Sequence, residues 1–280
     1  MQNKTEEKKS SGSTVLADDG FYFGIGAFET IAVEEGIPQL LAWHLERLRD
    51  SLAFFGIDQS VEEKEVLAYL NACPQSEEKQ HGALKITVTA QNKLFGLRKN
   101  TYSEEQYQKG FRLGFSEIRR NETSPLTYHK TLGIADNIME KRNAKKSGLD
   151  EKIFLNQKGQ ISEGCTTNIF FIQDDKLVTP PVSSGMLPGV MRRYVIKEAG
   201  RRGVLLEEKE LYPEDIEFPE GYFGLLVSGL FYAQSHDLRN EQKRMFREMK
   251  RIADNTDYSE YEETNQMQET IRMLQRIYGY

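Results

Sequence analysis

Between Phe21 and Leu230 the chain never keeps one hydrophobic periodicity for long. That alternation restricts it to a fold mixing sheets with helices. Ala27 to Val33 is rich in strand formers, Glu34-Glu35-Gly36 supplies a turn, and Ile37 to Leu41 returns. The pattern therefore predicts strand, turn and strand over Phe21 to Leu41. A helix follows from about Trp43 to Phe55. Its buried stripe is Leu41, Leu45, Leu48, Leu52 and Phe55, and Gly56 stops it. His44, Arg47 and Ser51 share a different face of that helix. A second helix is predicted over Val61 to Ala72, with strands over Ala83 to Ala90 and Gly110 to Ile118. The expected result is an α+β domain over residues 15–122, after a disordered leader over residues 1–14.

The second half begins near Pro125. Ile134, Ile138 and Met139 mark a helix ending by Gly148. Short strands follow over Lys152 to Leu155, Gln160 to Ser162, Asn168 to Ile172 and Lys176 to Thr179, separated by turn residues. A helix from Val190 to about Arg201 precedes strands near Val204 and over Gly224 to Leu230. This predicts a β-rich α/β domain over residues 123–238. Beyond His236 strand formers give way to charges. Met245, Met249 and Ile252 fit one helix; Met267, Ile271, Leu274 and Tyr278 fit another. The expectation is a helical tail over residues 239–280 that covers a core or meets a partner.

Composition removes several classes of function. A net charge of -6 and a pI near 5.5 do not suit a nucleic-acid binder, whose affinity comes from lysine and arginine. No apolar run approaches the ~20 residues that span a bilayer. The start of the chain lacks the apolar region of a secretory signal, and Cys73 and Cys165 do not make a disulfide framework. These features predict a soluble cytoplasmic protein, with no membrane and no nucleic acid among its partners. The four histidines are too scattered for a metal cluster. Gly24-Ile25-Gly26 lacks the third glycine of a dinucleotide fingerprint, and no Gly-x-Ser-x-Gly elbow occurs.

Chemistry concentrates between Arg119 and Arg193. Lys130 follows the nearly uncharged run Ser124-Pro125-Leu126-Thr127-Tyr128 and precedes Thr131-Leu132-Gly133-Ile134. A lysine there is a candidate for desolvation, which lowers its pKa and frees the amine as nucleophile and base. Glu163 sits in a turn with Thr166, Thr167 and Asn168 as donors. Gly189-Val190-Met191-Arg192 opens a helix just after Pro188, offering backbone N–H groups to an anion. Arg47, flanked by His44 and Ser51, is suited to a phosphate. A nucleophilic amine, a carboxylate in a hydroxyl-rich turn and a glycine-led helix start are the groups that pyridoxal 5'-phosphate requires.

These residues resemble the class IV pyridoxal-phosphate enzymes, which include branched-chain and D-amino-acid aminotransferases and aminodeoxychorismate lyase. The likeness covers about Phe21 to Leu230. It is carried by Phe28-Glu29-Thr30-Ile31, His44 to Ser51, Arg119-Arg120-Asn121, Ser124-Pro125-Leu126, Lys130-Thr131-Leu132, Glu163 to Phe170 and Leu187 to Arg192. The resemblance implies the two-domain D-amino-acid aminotransferase-like fold (fold type IV), here with an added helical tail, and usually a homodimer. It implies Lys130 as the Schiff-base lysine and Glu163 as the partner of the pyridine nitrogen. It also implies Arg47 as a phosphate ligand, helped by Thr167 and the backbone of Val190 and Met191. Phe28, Arg98, Ser228 and Gly229 are candidates for a small-molecule amine substrate. Met191 stands where aminotransferases usually carry threonine, and Phe28 where the D-amino-acid enzymes place tyrosine. The resemblance therefore points to the lyase, with an aminotransferase as alternative, and an inactive cofactor-binding scaffold with a partner-binding tail as a third. Gly133, Ile25, Thr89-Ala90-Gln91 and Phe231 to Gln234 depart from the family pattern.

Overall fold

The structure is a computed structural model. It describes residues 14–100, 111–173, 176–216, 224–227 and 231–233. Residues 1–13, the expected tail and the candidates Ser228 and Gly229 lie outside the described residues.

The first sheet is antiparallel, with strands β1 (Ala27–Glu34), β2 (Ile37–Pro38), β3 (His81–Val88) and β4 (Lys93–Lys99) in the order β2-β1-β3-β4. Alternation along β1 and β3 turns Ile31, Val33, Leu84, Ile86 and Val88 to one face. Helices α2 (Leu41–Phe54) and α3 (Glu63–Ala72) cover that face with Leu41, Leu48, Leu52, Val66 and Leu70. Each fully buried leucine contributes about 1.5–3 kcal/mol. The turn between β1 and β2 places Glu35 and Gly36 at positive φ, a conformation glycine tolerates without strain. Gly56, also at positive φ, follows α2.

The region expected to open with a strand at Phe21 instead forms a short helix, α1 (Asp19–Phe23). Asp18 is the reason. Its carboxylate accepts from the N–H of Gly20 and Phe21, the Thr89 hydroxyl, the Gln91 N–H and the Asn92 amide. The short helix α4 (Glu77–Gln80) and strand β4 carry no readable period, and sequence reading passes over both.

Beyond β4 come β5 (Leu113–Arg120), α5 (Ala135–Lys146), β6 (Glu151–Asn156) and β7 (Ile161–Gly164), with the three strands forming one sheet in the order β5-β6-β7. A second sheet has the order β10-β9-β8-β11-β12. Its strands are β8 (Asn168–Gln173), β9 (Lys176–Thr179), β10 (Leu206–Glu208), β11 (Gly224–Val227) and β12 (Phe231–Ala233). Ile153, Leu155, Ile161, Ile169, Phe171 and Val178 from both sheets join in one core. Helix α6 (Val190–Arg201) buries Val190, Tyr194, Val195 and Ala199. In α5 the expected apolar markers Ile138 and Met139 are exposed, and Glu140 and Ala144 are buried in their place. Glu140 tolerates burial because Ser116, Asn143 and Lys152 all donate to it.

Candidate functional site

Lys130 reaches its place through backbone bonds. After a 3-10 turn over Pro125–Tyr128, its carbonyl accepts from the Phe28 N–H at 3.0 Å, and Leu132 donates to the Gly26 carbonyl at 3.0 Å. Thr131 bridges Ala27, so this segment adds itself to the edge of β1. The Lys130 N–H donates to the Ser51 hydroxyl on α2 at 3.1 Å. The side chain extends over the Phe28 ring, with Nζ 4.8 Å from its centroid. Burial draws the amine down from 10.5 to about 8. Arg47 and Arg120 act in the same direction, while Glu29 and Glu163 oppose it. The amine, Arg47 and Glu163, far apart in the chain, thus lie in one electrostatic neighbourhood.

Glu163 ends β7 at 5 % exposure. One carboxylate oxygen accepts from Arg120 Nη2 at 2.6 Å, the other from the Leu187 N–H at 3.1 Å. Burial raises its pKa above the ordinary value even though Arg120 and Lys130 oppose the shift. Arg120 is itself held. It stacks 4.4 Å over the Phe154 ring and donates to Asn137, which in turn donates to the Cys165 carbonyl. Sequence reading treated Arg120 only as part of a motif. Its position on β5 beside Glu163 is a product of the sheet order. Cys165 is buried, and burial pushes its thiol up to about 12, so it is no nucleophile.

Arg47 faces inward from α2. Its Nε and Nη2 donate to the two oxygens of Glu29 at 2.7 and 2.6 Å, while Nη1 stands 3.4 Å from the Pro188 carbonyl at the approach to α6. Glu29, fully buried on β1, also pairs with His44 Nδ1 at 2.7 Å. Burial alone would raise its pKa, but the charges of Arg47 and His44 prevail and hold it down to about 2. His44 and Ser51, expected beside Arg47 at a phosphate, are instead turned to Glu29 and to Lys130.

Helix α6 begins at Gly189 with no side-chain cap, so its first-turn N–H groups are available to a ligand. A Cβ at Gly189 would overlap Asn168 Oδ1, and one at Gly164 would overlap Thr167 Oγ1. Asn168 is fixed in turn by its bond to the Leu187 carbonyl at 2.9 Å. Thr167 is buried and its hydroxyl has no protein partner. A cleft of about 600 Å³ between α2 and α6 is lined by Trp43, Arg47, Gly189 and Val190 among others. It meets the site at Arg47, but Lys130 and Glu163 do not line it.

Arg98 sits near the far end of edge strand β4. It is exposed and donates to the Lys99 carbonyl. Its strand partner is Ala83, whereas Phe28 pairs with Thr87 four residues away on β3. Among the described residues no cluster of His, Cys, Asp or Glu could hold a metal, and no helix is long and apolar enough to cross a membrane.

The family model for amino-transferase class IV matches residues 26–224. The aminodeoxychorismate lyase of Bacillus subtilis is 30% identical over 207 residues, covering 68% of this chain and 70% of the relative. The D-alanine aminotransferase of Bacillus licheniformis is 26% identical over 220 residues, covering 75% and 77%. Among solved structures, a putative 4-amino-4-deoxychorismate lyase from Legionella pneumophila superposes with a TM-score of 0.72 at 21% identity, over 86% of this chain and 96% of that one.

Proposed function

Since the chain belongs to the class IV aminotransferase family of pyridoxal-phosphate-dependent enzymes, with the type IV fold, we propose that it is an aminodeoxychorismate lyase. It would split 4-amino-4-deoxychorismate into 4-aminobenzoate and pyruvate, working as a homodimer on a small-molecule amine.

The residues present fit pyridoxal 5'-phosphate. A buried hydroxyl without a partner on Thr167, an uncapped helix start at Val190 and Met191, and Nη1 of Arg47 would together receive the phosphate. Glu163, held at both oxygens, would face the ring nitrogen. When bound, the cofactor supplies a covalent electron sink. Lys130 supplies the rest. With its pKa drawn down to about 8, roughly a tenth of the amine is unprotonated at pH 7, far more than for an ordinary lysine, and can take the proton leaving the substrate ring. The C–O bond to the enolpyruvyl group then breaks, the ring becomes aromatic, and the departing enolpyruvate gains a proton as pyruvate. Phe28 beneath the amine closes that side with an apolar face and no competing hydroxyl.

The observation that favours the lyase over the aminotransferase is the apolar Phe28 floor without a hydroxyl; the low-pKa lysine would serve as base in either reaction. Elimination needs one substrate and one base. Transamination must also grip two acids in turn, and Arg98, a candidate for the substrate, is exposed on edge strand β4 and bonded to the Lys99 carbonyl. The likeness to the Bacillus subtilis lyase supports the same choice. Enzyme given aminodeoxychorismate should release 4-aminobenzoate and pyruvate without any added oxo acid. Transfer of amino groups from an α-amino acid to 2-oxoglutarate, with aminodeoxychorismate untouched, would establish the aminotransferase instead. If loaded protein does neither, the scaffold reading prevails.

The phosphate end gives a separate test. Arg47→Ala removes a charge-assisted contact worth about 1.5–3 kcal/mol, so saturation should need roughly ten to a hundred times more pyridoxal phosphate. The change also strands buried Glu29, so Arg47→Lys is the companion variant. An unchanged saturation curve in both would assign Arg47 to the Glu29 ion pair alone.

A further inference from the structure

We infer that Ser51 is a positioning residue that fixes where Lys130 stands relative to Arg47. Ser51 is fully buried on α2, one turn beyond Arg47. Its hydroxyl donates to the Arg47 carbonyl at 3.0 Å and accepts from the Lys130 N–H at 3.1 Å. One oxygen thus joins the turn that carries the arginine to the backbone of the lysine, 79 residues away. The Lys130 carbonyl is held on its other side by the Phe28 N–H, so the residue is clamped between α2 and β1. Next to it, the His129 ring stacks on Phe54 of α2 at 4.2 Å between centroids, a packing contact without directional hold on Lys130.

The consequence follows from hydrogen-bond accounting. Without the Ser51 hydroxyl the part-buried Lys130 N–H loses its acceptor, and the segment gains by shifting toward water. The amine on the same residue would then be less desolvated. The titratable and charged groups around it are Arg47 and His44 from α2, Glu29 from β1, Lys85 from β3 over the same Phe28 ring, and Arg120 and Glu163 from β5 and β7. All of them remain in Ser51→Ala, so the change in burial is what such a variant reads.

The inference rests on Lys130 being the reactive amine, but its test needs no cofactor. Full-length ligand-free protein is acetylated with trace acetic anhydride across a pH series, and the Lys130 peptide is quantified. The wild-type midpoint is expected near pH 8. Ser51→Ala should raise it by about one unit, as desolvation is relieved, and lower turnover of loaded enzyme roughly tenfold. Ser51→Thr, which keeps the hydroxyl, should restore both. Two results overturn the inference: a wild-type midpoint in Ser51→Ala, or a folded Ser51→Thr that behaves like alanine. If Ser51→Ala does not fold, Ser51→Cys substitutes a similar volume with a weak acceptor. It should show the same rise, and a wild-type midpoint there is equally fatal. Failure of the functional reading is separately visible, as borohydride labelling of a lysine other than Lys130 in cofactor-saturated protein.

Discussion

Under the proposed lyase reaction, Lys130→Arg protein should release 4-aminobenzoate at least three to four orders of magnitude more slowly than wild type. The expected size follows from losing a nucleophile and a general base in one substitution. Arginine keeps the positive charge, so the electrostatic setting of Glu163 and Glu29 is largely retained. Its guanidinium does not deprotonate in the working range, whereas the lysine amine does so near pH 8. Borohydride reduction of wild-type protein loaded with pyridoxal phosphate should mark the Lys130 peptide, and the variant should take no mark. Turnover within tenfold of wild type, or an equal mark on the variant, would remove Lys130 from the chemistry.

Glu163→Gln is expected to cost about two orders of magnitude or more, with the cofactor still bound. The carboxylate is buried and fixed through Arg120 and the Leu187 N–H, so it is a preorganised charge, and removing such a group has effects of about that size. The amide preserves shape but not charge, and Arg120 is left facing a neutral partner. The signature is a fall in kcat with little change in cofactor saturation, read by steady-state kinetics alongside absorbance titration. Near-normal kcat would assign Glu163 to the Arg120 ion pair only.

Much of this arrangement is legible before any coordinates. Helix Leu41–Phe54 follows from apolar spacing, and the start of helix Val190–Arg201 from the Pro188-Gly189 pair. The type IV fold follows from ordered motifs rather than from periodicity. Other features are hidden for physical reasons. Strand β4 holds Lys93, Lys99 and Gly96 and has no alternation; it exists because β3 offers it a ladder. Helix α1 depends on Asp18 meeting Thr89 and Asn92, some seventy residues downstream. At the site, Lys130, Glu163 and Arg47 stand out by residue type and setting. Glu29, Ser51 and Arg120 do not, since their importance comes from what they hold. The one available signal for Ser51 was its i,i+4 spacing from Arg47, which suggested a ligand contact where the structure has a backbone clamp.

The close fit of Gly189 against Asn168 bears on how this protein can change. The amide of Asn168 occupies the volume that any side chain at 189 would need, and it is tied to the Leu187 carbonyl. Position 189 is not free to vary alone, because any side chain there meets Asn168. Random mutagenesis one codon at a time should find 189 intolerant, and a library that places a side chain there must recode 168 with it.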